Sequence, residues 1–160
     1  MSKGDFDWLT RVKPNIIIAS GFIVLIFIGI MGSYFSWRSL SRKPIVMLTG
    51  ALLFTIGYVL HIYCHRYHAK AHETSDKILV VIDTGPFAVV RHPMYVGLIA
   101  MYIGMSIAWG ILLMFIPVIL YSVLIVMISI EEEKYLMKTL ETQYKEYMVK
   151  VPWRYIPGIF

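Results

Sequence analysis

The chain has 160 residues, of which 58% are hydrophobic and only 16% charged, and its mean hydropathy is +0.68. Soluble domains carry about 25% charged residues, so this composition excludes an ordinary water-soluble domain and indicates an integral membrane protein. The net charge of +5 is then read as loop lysines and arginines facing anionic lipid heads, not as a nucleic-acid surface. Cys64 is the only cysteine, which rules out an intramolecular disulfide. The N-terminal apolar run is too long for a signal-peptide core and lacks a small-residue cleavage site, so an uncleaved N-terminus is expected.

Residues 1–14 are polar and end at Pro14, a suitable first residue for a helix. Asn15 to about Trp37 is uncharged and long enough to span a bilayer core of about 30 Å. Its Gly21, Gly29 and Gly32 suit close helix packing in lipid. A basic loop of Arg38, Arg42 and Lys43 comes next, and Pro44 opens a second span to about Cys64. From His65 to Val90 the chain is mixed and polar, which predicts an interfacial helix and then a loop. Between Pro93 and Ile130 there is no charged residue. That stretch is too long for one span, and it reads as a helical hairpin turning at Trp109-Gly110, with Pro117 kinking the returning helix. From Glu131 to Lys150, Tyr135, Leu136, Leu140, Tyr144 and Tyr147 recur at helical spacing, and Pro152 and Pro157 end that segment.

The predicted fold class is therefore all-α and membrane-embedded. About four transmembrane helices are expected, the last two a short hairpin, with an interfacial segment and a cytoplasmic C-terminal helix. The expected division is an N-terminal region, 1–64, with two spans, and a catalytic region, 65–160. Four spans place both termini and the 65–92 loop on one side, together with twelve of the fifteen Lys and Arg residues. The positive-inside tendency makes that side cytoplasmic. The expected location is the plasma membrane of a prokaryote or the endoplasmic reticulum of a eukaryote.

Two polar clusters bound the hydrophobic region, Arg91-His92-Pro93 at its start and Glu131-Glu132-Glu133 at its end. The sequence Gly85-Pro86-Phe87 through Arg91-His92-Pro93-Met94-Tyr95-Val96-Gly97 resembles the integral-membrane methyltransferases. That group comprises the isoprenylcysteine carboxyl methyltransferases and the related phospholipid methyltransferases. The similarity continues through Glu132-Glu133 and Leu136 to Tyr144, Tyr147, Val151-Pro152 and Pro157, covering residues 79–157. It implies binding of S-adenosylmethionine by Val81, Ile82, Phe87, His92, Pro93, Met94, Tyr95 and Glu132, with His72 as a further contact. Arg91, Tyr95 and Glu132 are the implied catalytic set.

The chemistry of these residue types agrees with that implication. A carboxylate such as Glu132 suits the cofactor's ammonium or ribose hydroxyls. His92 can hydrogen-bond the methionine carboxylate, and the apolar 78–82 run with Phe87 can sandwich adenine. No G-x-G-type nucleotide loop occurs, which argues against a Rossmann-like methyltransferase domain. The implied substrate is a lipid or a prenylated small molecule. The resemblance favours a prenylcysteine carboxylate, with a phospholipid amine as the alternative. Prenylcysteine methyltransferases carry an arginine one turn before the glutamates where this chain has Ile128, so carboxylate recognition would have to come from elsewhere, with Arg154 as the nearest choice. Leu140-Glu141 replaces a common Phe-Gly and implies an altered helix bend.

Other readings of the same residues are an interfacial cap, in which Arg91 and His92 reach lipid phosphates, and a membrane metalloenzyme. His61, His65, His68 and His72, beside Cys64, share one helix face, but histidine-box hydroxylases need about eight histidines, and this chain has five. No metal site is therefore assigned. A small transporter would be expected to keep an ionisable residue inside a span. Only His61, near a span end, qualifies.

Overall fold

The computed structural model describes residues 14–37, 40, 43–68 and 80–159. Within them five α-helices run in chain order: α1 Pro14–Tyr34, α2 Pro44–His65, α3 Pro93–Trp109, α4 Phe115–Thr139 and α5 Glu141–Lys150. The fold is all-helical. Three segments, Ile16–Tyr34, Pro44–His65 and Leu112–Thr139, are long and apolar enough to cross a membrane. Helix α3 is apolar but shorter, 17 residues or about 25 Å at the α-helical rise. The protein is an integral membrane protein.

The helix boundaries obey local backbone chemistry. Helices α1, α2 and α3 each begin on a proline, where the missing amide hydrogen would have had no intrahelical partner. Helix α3 stops at Gly110, whose φ of 73° is left-handed and whose amide donates to the Ser106 carbonyl, an ending that glycine reaches without strain. The hairpin turn expected at Trp109-Gly110 is thus present. Pro117 does not kink the returning helix. It is the third residue of α4, in the first turn, where amides lack intrahelical acceptors, so the ring helps start the helix.

The single helix expected from Glu131 to Lys150 is two helices. The Leu140 amide closes α4 on the Leu136 carbonyl, and Glu141 then takes a φ of +39° and starts α5 in a new direction. Of the predicted interfacial segment, residues 69–79 lie outside the described residues, as do Arg38 and Arg42 of the basic loop and His72. Residues 80–84 lead into a 3-10 turn at Gly85–Ala88.

Helix α3 is the centre of the bundle. Its Leu98, Met101 and Tyr102 pack with Leu25, Ile111, Met114, Val118 and Ile125 in the main buried cluster. Against α2 it comes to backbone contact: a Cβ on Gly97 would lie 2.6 Å from the Gly57 carbonyl oxygen, so small residues set this spacing. The glycines of α1 do something else. They make room for large side chains, a Cβ at Gly29 meeting the Trp109 ring at 2.6 Å. Polar side chains inside the bundle are paired, Tyr102 donating to the Ile18 carbonyl at 3.1 Å and the Trp109 indole to Ser33 at 2.9 Å, as a low-dielectric interior requires. The outer faces of α1, α2 and α4 expose Ile23, Phe27, Leu48, Leu52, Ile119 and Leu120, which lipid chains cover.

Candidate active site

The two polar clusters that bracket the hydrophobic hairpin meet at one end of the bundle. Pro93 starts α3 with Arg91 and His92 immediately before it, and α4 returns to the same level at Glu132 and Glu133. Tyr95 Oη donates to Glu132 Oε2 at 3.3 Å, and the His92 and Tyr95 rings stack with centroids 5.5 Å apart. These contacts join residues about 40 apart in sequence into one wall.

Glu132 and Glu133 have different surroundings although they are adjacent. Glu133 is buried and ringed by Arg91, His92 and Arg154. Arg91 Nε donates to its Oε1 at 2.8 Å, His92 Nε2 meets the same oxygen at 3.0 Å, and Arg154 Nη2 donates to Oε2 at 2.6 Å. Arg91 also donates through Nη1 to the Val151 and Pro152 carbonyls at 2.9 and 2.6 Å. Glu132 faces a cavity that opens to the surface of the bundle.

Val81, Ile82, Phe87, His92, Met94, Tyr95 and Glu132 all border this cavity. Of the residues singled out from the sequence as cofactor contacts, Pro93 does not line it; the ring is buried as the first residue of α3. Arg91 lines the cavity while holding Glu133 and the Val151 and Pro152 carbonyls. Arg154 is not among the lining side chains and is engaged by Glu133, which raises its pKa. Ile128, where a carboxylate-binding arginine was looked for, is buried against Ile17.

Several wall residues were not assigned to the site from sequence. Leu136, Leu140, Tyr144 and Tyr147 add α4 and α5 to the wall, packing with Val81 of the 80–87 loop, and Ile18 and His61 bring α1 and α2 into it. The two N-terminal helices therefore contribute directly to the site as well as to the architecture. Tyr147 Oη donates to the Phe87 carbonyl at 2.8 Å, and Lys150 pairs with Asp83 at 2.7 Å, holding that carboxylate below its usual pKa. Both contacts tie α5 to the 80–87 loop. Burial pushes the Tyr144 and Tyr147 phenols up, so both stay neutral.

Three histidines of the α2 end stand close by. His61 Nδ1 lies 3.2 Å from the Met94 carbonyl and its ring meets His65 edge-on. His68 packs beside Phe87, and its Nδ1 is buried with no hydrogen-bond partner among the described residues. Burial lowers its pKa, leaving the imidazole neutral. Among the described residues no three His, Cys, Asp or Glu side chains converge as metal ligands.

The model of the phospholipid methyltransferase family matches residues 45–143, a segment holding the RHP turn, both glutamates and most of the cavity wall. The chain belongs to that family. Among curated proteins no sequence matches it. As a phospholipid methyltransferase family member it is a membrane methyltransferase. Helix α1 and the segment after α5 lie outside the matched residues.

Proposed function

We propose that the protein transfers a methyl group from S-adenosylmethionine to a lipid-like acceptor at the cytoplasmic face of the membrane. The observation that carries this reading is the convergence of Glu132, His92, Tyr95 and the apolar Val81, Ile82 and Phe87 on one cavity. The donor set fits the cofactor. Glu132 offers a carboxylate to an ammonium, His92 its second ring nitrogen to the polar amino-acid end, and Phe87 with Val81 and Ile82 an apolar slot for a flat base. The orphaned His68 Nδ1 beside Phe87 is a buried polar atom of the kind a bound ligand satisfies.

The cofactor supplies an already activated methyl group on a sulfonium. The protein's work is to orient the acceptor in line with it and to exclude water. Leu136, Leu140 and Ile18 provide a dry wall for that step. A carboxylate acceptor needs no base, whereas an amine must first lose a proton. His61 is suited to take it: with Nδ1 donating to the Met94 carbonyl, Nε2 becomes the basic nitrogen.

The surroundings favour an amine-headed phospholipid over a prenylcysteine carboxylate. Arg91 and Arg154 are both engaged by Glu133, and Ile128 is apolar and buried. The family description points the same way. The test is to incubate purified protein with methyl-labelled S-adenosylmethionine and, separately, phosphatidylethanolamine vesicles or farnesylcysteine. Label that enters phospholipid and resists alkali is the expected N-methyl product. Alkali-labile label on farnesylcysteine would reverse the substrate choice, and no transfer to either would defeat the reading.

A further inference from the structure

Beyond the family-matched residues, the segment 151–155 runs beside the RHP turn and is bonded to it at several points. The Arg91 amide donates to the Trp153 carbonyl at 2.9 Å and the His92 amide to the Arg154 carbonyl at 3.0 Å. The Arg91 guanidinium reaches back to the Val151 and Pro152 carbonyls. Arg154 grips Glu133 with Nε at 3.1 Å and Nη2 at 2.6 Å, a two-pronged geometry that lysine cannot reproduce. At the far end Tyr155 Oη meets Ser129 Oγ, and the Val151 and Tyr155 side chains are buried.

His92 is the point on which these bonds converge. Its backbone amide is held by the segment, its Nε2 by Glu133, and its ring lies between Tyr95 and Tyr155 with centroids at 5.5 and 5.9 Å. Glu133 and Arg154 do not line the cavity, so whatever they contribute passes through His92 and Arg91. We propose that Val151–Tyr155 is a strap that fixes the cofactor-binding wall, with Glu133 and Arg154 as positioning residues acting through His92. A carboxylate fixes an imidazole's rotamer and ring orientation in this way wherever a second group must meet the opposite nitrogen. Here that nitrogen, Nδ1, stands 3.9 Å from Glu132 Oε2 at the cavity edge. The strap therefore sets the spacing between the two polar groups assigned to the cofactor's amino-acid end, and in this the inference rests on the cofactor reading above.

The test is calorimetric titration of S-adenosylmethionine into the full-length detergent-purified chain, which reads affinity and binding-competent fraction separately. Arg154→Ala is expected to raise Kd about tenfold, the scale of one lost charge-assisted contact, with the competent fraction unchanged. Arg154→Lys, keeping charge without the fork, is expected to fall between. A lower competent fraction with unchanged Kd would mean that Arg154 serves stability alone and would overturn the inference. If Arg154→Ala loses its helical signal, Arg154→Lys decides, and an unchanged Kd there overturns it. No binding by the wild-type chain would defeat the cofactor reading and this inference together, whereas wild-type binding with an unaltered Arg154→Ala defeats only the strap.

Discussion

Two adjacent glutamates carry opposite tasks because a helix turns by about 100° per residue. Glu133 points into the bundle end and pairs with both Arg91 and Arg154, while Glu132 turns to the cavity with the Tyr95 hydroxyl at 3.3 Å and His92 at 3.9 Å beside it. Their removal should therefore differ in kind. Glu132→Ala is expected to stay folded and to lose S-adenosylmethionine affinity by about ten- to a hundredfold, the range for one charge-assisted hydrogen bond. Unchanged affinity by calorimetry would remove Glu132 from the cofactor site. Glu133→Ala leaves the buried Arg91 guanidinium without its counter-charge, a change that costs about 3–5 kcal/mol. Its expected signature is a large fall in thermal midpoint, and a wild-type midpoint would show that the network carries little stability.

At the scale of elements, the junction between α4 and α5 decides the shape of the cavity. Leu140 ends one helix, and the turn at Glu141 redirects the chain so that Tyr144 and Tyr147 face the 80–87 loop. A continuous helix from Glu131 to Lys150 would carry those tyrosines away along the α4 axis. The φ of +39° at Glu141 lies on the left-handed side, where a side chain costs about 1–2 kcal/mol and glycine nothing. Glu141→Gly is accordingly expected to raise the thermal midpoint by a few degrees, with the cavity intact. A lower midpoint would mean that the entropy glycine adds to the unfolded chain outweighs the strain relieved. The departure Leu140-Glu141, noticed in the sequence only as an altered bend, is thus the place where the predicted single helix becomes two.

For the whole molecule, the bundle places the cavity at one end of helices whose flanks face lipid, so the proposed polar cofactor and apolar acceptor would reach it from different phases. The proposed sidedness rests on the basic residues near that end, and it can be checked with the chain's own chemistry. Cys64 is fully buried and should stay silent to thiol reagents. Lys43→Cys, at the start of α2, is expected to react with a membrane-impermeant reagent applied outside sealed cells. Lys145→Cys on α5 should react only after permeabilisation. The reverse pattern would turn the site to the outer face.

The amino-acid sequence by itself determined the membrane class, the helical spans and most of their ends. Those properties depend on hydrophobic length and on the backbone habits of single residues such as Pro44, Pro93 and Gly110, which act locally. The RHP turn, Tyr95 and Glu132 were legible too, because that motif and its distance to the glutamates are written along the chain. Tertiary structure alone decided which glutamate faces the cavity, that Ile18 and His61 border it, and that Arg154 pairs with Glu133. Each of these depends on how one helix is rotated and packed against another, and helical periodicity leaves that rotation open.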